Sequence, residues 1–337
     1  MKNHPISSLI RCVGLMLCLV FVSSELKAYS PPLAISGPTL TVFGTTHFYT
    51  FSVYDPIAGA TRYWQSDIIL GSPSASNAYI SGNVAVVIFK TSSQNELEVS
   101  TYDPSVGAWR GFSYFATSWG NLVSLVASAD GVIAWEEYNS SSSFGWNVFA
   151  VTYDPNGYYP GSHGTWIQTS FAGLPSGVRT YTIDHGVVGW RVSYNSLNSH
   201  EVGYGIYDPA SGSWKTQTSP CFSGYFGMNN GSVTFDSSIT GSRVTKGYDP
   251  YTSGGVWSTG NTKSLAYFRY QNIGSDVILT DMSIGGLSWD WDFGDGNTSS
   301  SRSVLHAYSI TPPLTINLDI TTMDSVPRNS NLTVFSF

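Results

Sequence analysis

Apolar residues in this chain come in runs about one strand long, and the runs recur in a fixed order between residues 29 and about 260. One run opens with Gly each time: Gly82 to Phe89, Gly131 to Trp135, Gly186 to Trp190 and Gly231 to Phe235. A bulky apolar residue stands four positions after each of these glycines. A polar stretch follows, and then a second run that leads into a Tyr: Glu98 to Tyr102, Val148 to Tyr153 and Val202 to Tyr207. A weaker run precedes the Gly, as in Val123 to Ala127 and Val178 to Ile183, and a Trp after the Tyr opens a fourth. Runs of this length, bounded by turn residues, predict β-strands, four to a unit.

The phrase that closes the third strand is Tyr-Asp-Pro. It occurs at Tyr54, Tyr102, Tyr153, Tyr207 and Tyr248, each followed by a Trp (Trp64, Trp109, Trp166, Trp214, Trp257). Successive tyrosines are 48, 51, 54 and 41 residues apart. Four-stranded units at that period predict an all-β fold, a β-propeller of about five blades over residues 29–260. The Asp accepts backbone N–H groups two residues on, and the Pro presets the turn. Each Asp is therefore expected to serve its own turn rather than a shared metal ring. The phrase resembles the third-to-fourth-strand turn of kelch-type and related propeller repeats. The copies at Tyr102–Trp109 and Tyr207–Trp214 match that spacing, while the paired glycines of kelch repeats are absent.

Strand alternation puts the tight 1–2 turns and the Tyr-Asp-Pro turns at one end of the sheets. The 2–3 loops and the unit-to-unit connections lie at the other, and there they vary in length, as functional loops do. These loops mix aromatics with Ser, Asn and Gly, a surface suited to sugars or protein loops. Trp119, Phe144, Trp146, Tyr194 and Tyr225 are the candidate ligand-binding residues.

Charged residues make up only 11% of the chain, and aromatics 15%. The net charge is −7, with sparse Lys and Arg, which excludes an electrostatic footprint for nucleic acid or anionic membranes. Lys2 and Arg11 flank a ten-residue apolar run, Val13 to Val22, too short to span a bilayer and suited to a signal peptide over residues 1–28. Cleavage there removes Lys2, Arg11, Lys27 and Glu25, three positive charges and one negative, so −7 becomes −9. Cys12 and Cys18 leave with it, and Cys221 is expected to be a buried thiol without a disulfide. The expected location is secreted or at the cell surface.

Catalysis on such a scaffold needs two facing carboxylates, as in glycosidases. Glu136, Glu137, Asp184 and Asp236 are the candidates, without assignable partners, and Asp184 falls at a tight turn. His163, His185 and His200 are scattered, and no metal-ligand spacing is present. The expected function is binding of a glycan or an extracellular protein, without cofactor, metal or catalytic residues. The alternative is a carbohydrate-active enzyme, a glycosidase or lyase.

Beyond residue 260 the pattern changes. Trp289 to Gly296 contains Trp-Asp-Phe-Gly-Asp-Gly, followed by His306-Ala307-Tyr308 and an alternating run, Leu314 to Thr321. The series reads as a small β-sandwich. It resembles a PKD (polycystic kidney disease) domain over about residues 261–325, departing at Thr311-Pro312-Pro313-Leu314. The resemblance implies an immunoglobulin-like extracellular module over residues 261–337, acting as a spacer. Trp291 and Phe293 are expected in its core, with Asp292 and Asp295 organising the turn.

Overall fold

A computed structural model describes residues 35–335 apart from 44–45, 56, 68, 71–76, 91–94, 116–121, 130, 139–145, 156–163, 175–178, 194–199, 274–275 and 310–311. Residues 1–28, the expected signal peptide, lie outside these residues. The protein is all-β, and no described helix is long and apolar enough to cross a membrane.

Four antiparallel sheets follow one another along the chain, and the last, of seven strands, is divided at its central strand into two four-stranded halves, called the fourth and fifth sheets below. The first holds β1 (Ser36–Phe43), β2 (Thr46–Asp55) and β3 (Ala60–Gln65) in that order, with β4 (Ile69–Leu70) paired to β2. The second is β5 (Asn77–Ser81), β6 (Val84–Lys90), β7 (Asn95–Asp103) and β8 (Ala108–Phe115). The third is β9 (Leu122–Ala129), β10 (Val132–Tyr138), β11 (Trp146–Asp154) and β12 (Thr165–Leu174). The fourth is β13 (Arg179–Asp184), β14 (Val187–Ser193), β15 (His200–Asp208) and the start of β16 (Ser213–Asn229). β16 bends and its end begins the fifth, with β17 (Ser232–Ser237), β18 (Arg243–Asp249) and β19 (Val256–Thr259). The first sheet is thus one in-line strand short of the four expected.

Each consecutive pair of sheets shares a core. Phe51 meets Val87, Leu97 meets Ile133, Val148 meets Trp190, and Tyr204 meets Phe235 within four such clusters. Among the described residues no buried cluster joins the first sheet to the fifth.

The repeated phrase explains this stacking. In the four later sheets the Tyr stands directly opposite its Trp, whatever the length of the turn between them: Tyr102 and Trp109, Tyr153 and Trp166, Tyr207 and Trp214, Tyr248 and Trp257. The Asp carboxylates are buried and divided in use. Oδ1 accepts N–H groups of its own turn, as from Ile57 to Asp55 (2.9 Å), Ser105 to Asp103 (2.9 Å) and Tyr251 to Asp249 (3.0 Å). Oδ2 accepts the tyrosine hydroxyl of the next unit: Tyr102 to Asp55 (2.6 Å), Tyr153 to Asp103 (2.7 Å) and Tyr207 to Asp154 (2.6 Å). Tyr248 lies near Asp208 without a hydrogen bond. A second link repeats too. Trp166, Trp214 and Trp257 each donate Nε1 to the carbonyl one residue past the preceding Trp, at Arg110, Ile167 and Lys215 (3.0–3.1 Å).

The two ends of the array differ. At the leading end Tyr54 has no earlier Asp to reach, and it is 55% exposed. The first Trp also departs from the pattern, since Trp64 stands opposite Phe51 rather than Tyr54. At the trailing end the linker takes the place of a following unit. Lys263 Nζ approaches Asp249 Oδ2 at 2.6 Å, where a tyrosine hydroxyl stands elsewhere. The residue before each Tyr is Val53, Thr101, Thr152 or Ile206, but Gly247 in the last copy. Thr101 and Thr152 donate their hydroxyls to turn carbonyls at Asn83 and Gly131; in the last unit Thr262, from the linker, does so to Gly231 (2.7 Å).

These latches differ in predicted cost. Tyr102→Phe removes a hydroxyl donated to a buried carboxylate and should cost about 1.5–3 kcal/mol. Tyr54→Phe, the same change at the uncovered end, should stay within about 0.5 kcal/mol. Urea unfolding of both variants checks this, and equal losses would remove the latch as the explanation.

The C-terminal segment forms two sheets, β20 (Phe268–Ile273), β21 (Asp276–Asp281) and β24 (Ser303–Ala307) in one, and β23 (Thr298–Ser299), β22 (Gly286–Asp292), β25 (Leu314–Thr322) and β26 (Arg328–Val334) in the other. Both contribute to one core, with Phe268, Val277 and Leu279 meeting Trp291, Phe293, Ile316 and Leu318. Trp291 and Phe293 are fully buried, as expected. Asp292 and Asp295 each accept a turn N–H, from Gly294 (2.9 Å) and Asn297 (3.0 Å). Asp295 also pairs with His306 Nε2 at 2.8 Å, and His306 stacks on Phe293 at 4.1 Å between ring centroids.

Candidate functional site

The described part of the loop end is clearest at the bend of β16. The strand pairs with β15 as far as Cys221, opposite His200, and pairs with β17 again from Phe226. Phe222, Ser223, Gly224 and Tyr225 leave the ladder between these points. Phe222 and Tyr225 are 46% and 45% exposed.

The bend is held from beneath. Tyr225 N–H donates to Asp236 Oδ2 at 2.7 Å, and Arg243 Nε to Asp236 Oδ1 at 2.9 Å. The Arg243 guanidinium lies 4.2 Å from the Tyr225 ring centroid, within cation–π range. Arg191 Nη1 donates to the carbonyls of Gly224 (2.5 Å) and Ser223 (3.2 Å). A Cβ at Gly224 would stand 2.2 Å from Asp236 Oδ2 and would displace the carboxylate that holds the bend. The Arg243 hydrogen bond, aided by the Tyr225 N–H, lowers the pKa of Asp236. One face of Tyr225 is thereby fixed on a cation while part of the ring meets solvent, an arrangement that can stack on a ligand ring at small ordering cost.

Of the five ring candidates, Tyr225 is therefore placed on an exposed, supported surface. Trp146 opens β11. Trp119, Phe144 and Tyr194 lie outside the described residues, as does His163. Phe222 was not anticipated, although it shares the Cys221-to-Gly227 connection with Tyr225.

The carboxylates of the enzyme alternative do not converge. Glu136 and Glu137 are neighbours on β10 and both are buried, so they leave the sheet on opposite faces. Tyr181 donates to Glu136 Oε2 and Tyr114 to Glu137 Oε2, from the fourth and second sheets respectively. Asp184 accepts Gly231 N–H on Oδ2 (2.9 Å) and pairs through Oδ1 with His185 Nδ1 (2.7 Å), a turn role. Asp236 holds the bend. Cys221 is 2% exposed, and burial raises its pKa to about 11, which keeps it a thiol.

A different acidic group stands out between the first and second sheets. Asp67, Glu96 and Glu98 have carboxylate oxygens within 4.8 Å of one another. Asp67 N–H donates to Glu98 Oε2 at 3.1 Å. Burial, reinforced by the neighbouring Asp67, raises Glu96 to about 7. Burial, with the charges of Asp67 and Glu96 and against the Asp67 N–H, raises Glu98 to about 8. The group could share protons or hold a hard divalent cation. Its sequence signal is slight: Glu96-Leu97-Glu98 puts two acids on one strand face in a chain poor in charge.

No protein-family model matches the chain, and no curated protein does. Among solved structures, the PKD1 domain of Vibrio anguillarum Epp is similar over 22% of this chain and 94% of that one, with 25% identity and a TM-score of 0.21. Pyrococcus horikoshii acylaminoacyl peptidase is similar over 90% of this chain at 8% identity and a TM-score of 0.27; the chain spans 51% of the peptidase. Neither score is high enough to show a shared fold.

Proposed function

We propose that the chain is a secreted or surface-exposed binding protein. In this reading the five sheets make one β-propeller, and its loop end contacts a glycan or an extracellular protein. The C-terminal pair of sheets is a PKD-like module carried beside it. The observation that carries the reading is the supported, half-exposed Tyr225 on the β16 bend, with Phe222 next to it. Exposed rings backed by a cation and flanked by hydroxyls suit sugar rings and protein loops.

Screening the mature chain against polysaccharides, glycans and extracellular proteins tests this, with each bound sugar checked for shortening. Tyr225→Ala should weaken binding at least about tenfold, the loss of one well-placed ring contact. Binding untouched by Tyr225→Ala would move the site elsewhere, and the absence of any binding would overturn the reading.

A second reading, a carbohydrate-active enzyme, is favoured by one observation, the Asp67–Glu96–Glu98 group with its two raised carboxyls. It requires that a bound sugar be cleaved and that Glu98→Gln abolish the cleavage.

A further inference from the structure

The Tyr-Asp-Pro turns of the second, third and fourth sheets line a cavity of about 390 Å³ together with the tight turns at Gly82, Gly131 and Gly186. Its opposite wall is the C-terminal unit, including Ile278, Thr280 to Gly286 and Arg302 to Leu305.

Two side chains of β20 cross this seam. Arg269 Nη2 donates to Asp154 Oδ2 at 3.2 Å and to the Pro209 carbonyl at 2.8 Å. Gln271 Nε2 donates to Ser105 Oγ at 3.1 Å and to the Pro155 carbonyl at 2.8 Å. Arg269 thus bridges the third and fourth turns, and Gln271 the second and third. Residues two apart on a strand project to the same side, so one edge of β20 meets three successive turns. The prolyl carbonyl is the shared acceptor, used in the same way at Pro155 and Pro209. Asp154, already accepting Tyr207, is fully buried, and Arg269 brings a positive charge to it.

A second attachment lies at the linker. Tyr251 OH and Arg328 Nε both donate to the Ser264 carbonyl, at 2.8 and 3.0 Å, and Leu265 bridges to Ile284. One attachment alone would leave a pivot. Two separated ones fix an orientation.

We propose that the row of Tyr-Asp-Pro turns is a docking strip whose occupant is the chain's own C-terminal unit, clamped by Arg269 and Gln271 so that both move as one body. This withdraws the turn end of the sheets from other partners and makes the unit a brace rather than a swinging spacer. It holds whatever the loop end binds.

The test uses the full chain. The wild type should unfold in one calorimetric transition and scatter X-rays as one compact body. Arg269→Ala with Gln271→Ala should split the transition and enlarge the radius of gyration. Amide exchange should speed at least about tenfold in the turns at 103–107 and 208–212, with the turn at 249–252 unchanged. If the double variant fails to fold, Gln271→Ala alone still decides. It should speed exchange at 103–107 and spare 208–212; equal changes in both turns would overturn the clamp. So would two independently moving bodies in the wild type, or a double variant with unchanged scattering and exchange.

Discussion

Gly247→Ala should be among the most damaging single-methyl changes in the protein, costing about 3 kcal/mol or more and lowering the melting temperature by roughly 6–12 °C. A Cβ at position 247 would stand 2.1 Å from the carbonyl carbon of Asn261 and 2.2 Å from the amide nitrogen of Thr262. Both are backbone atoms, which cannot swing aside as a side chain can. The linker would have to lift, and three contacts would go with it: Tyr248 N–H to Thr262 Oγ1, Thr262 Oγ1–H to Gly231 O, and Lys263 to Asp249. Gly59→Ala is the control. Gly59 has a positive φ of 62°, but a Cβ there would meet nothing within 4 Å, so only backbone strain of about 1 kcal/mol is expected. Thermal and urea unfolding of the two variants gives the comparison. If both lose the same stability, the linker is not packed on the fifth sheet as described.

The second large effect is on pH. Glu96 and Glu98 have an ordinary pKa of 4.5 and reach about 7 and about 8 in the folded protein. Between about pH 4.5 and 8 the folded chain therefore holds more protons than the unfolded chain. Stability falls as pH rises through that window and is level outside it, as far as these groups are concerned. The lowered carboxyls of Asp295 and Asp324 act in the opposite sense, losing their contribution only as pH falls below the ordinary aspartate range. Allowing for solvent screening, the two glutamates together should take about 2 kcal/mol from stability between pH 5 and pH 8.5. Glu98→Gln keeps an acceptor for the Asp67 N–H but cannot ionise. It should flatten most of the slope and stabilise the protein at pH 8.5. An undiminished slope in Glu98→Gln, or a slope that survives in Glu96→Gln with Glu98→Gln, would place its origin elsewhere. Added Ca²⁺ at pH 8.5 gives an independent reading, because a bound cation would relieve the same repulsion and raise the melting temperature.

The sequence by itself was enough for the all-β class, the repeat and most strands of the second to fifth sheets, because these rest on local chemistry. Alternation of apolar residues is a property of a single strand, and Asp-Pro followed by Gly sets a turn without help from distant residues. The buried Trp291 and Phe293 were legible for the same reason. What it could not show was the second use of Asp55, Asp103 and Asp154. The turn needs only Oδ1; that Oδ2 receives a tyrosine about fifty residues later is decided by how one sheet lies on the next. The array's two ends were hidden likewise, although Gly247 breaks the series Val53, Thr101, Thr152, Ile206 in plain view. Its meaning depends on the linker backbone occupying the volume a side chain fills in the other units. For the candidate site the same division holds. Loop composition points to Tyr225, but its support by Arg243 and Asp236 requires β17 and β18 beside the bend. The acidic trio is not legible in the sequence because Asp67 and Glu98 stand 31 residues apart in the chain. Only burial at the seam between two sheets makes their charges costly, and burial is a property of the packed molecule.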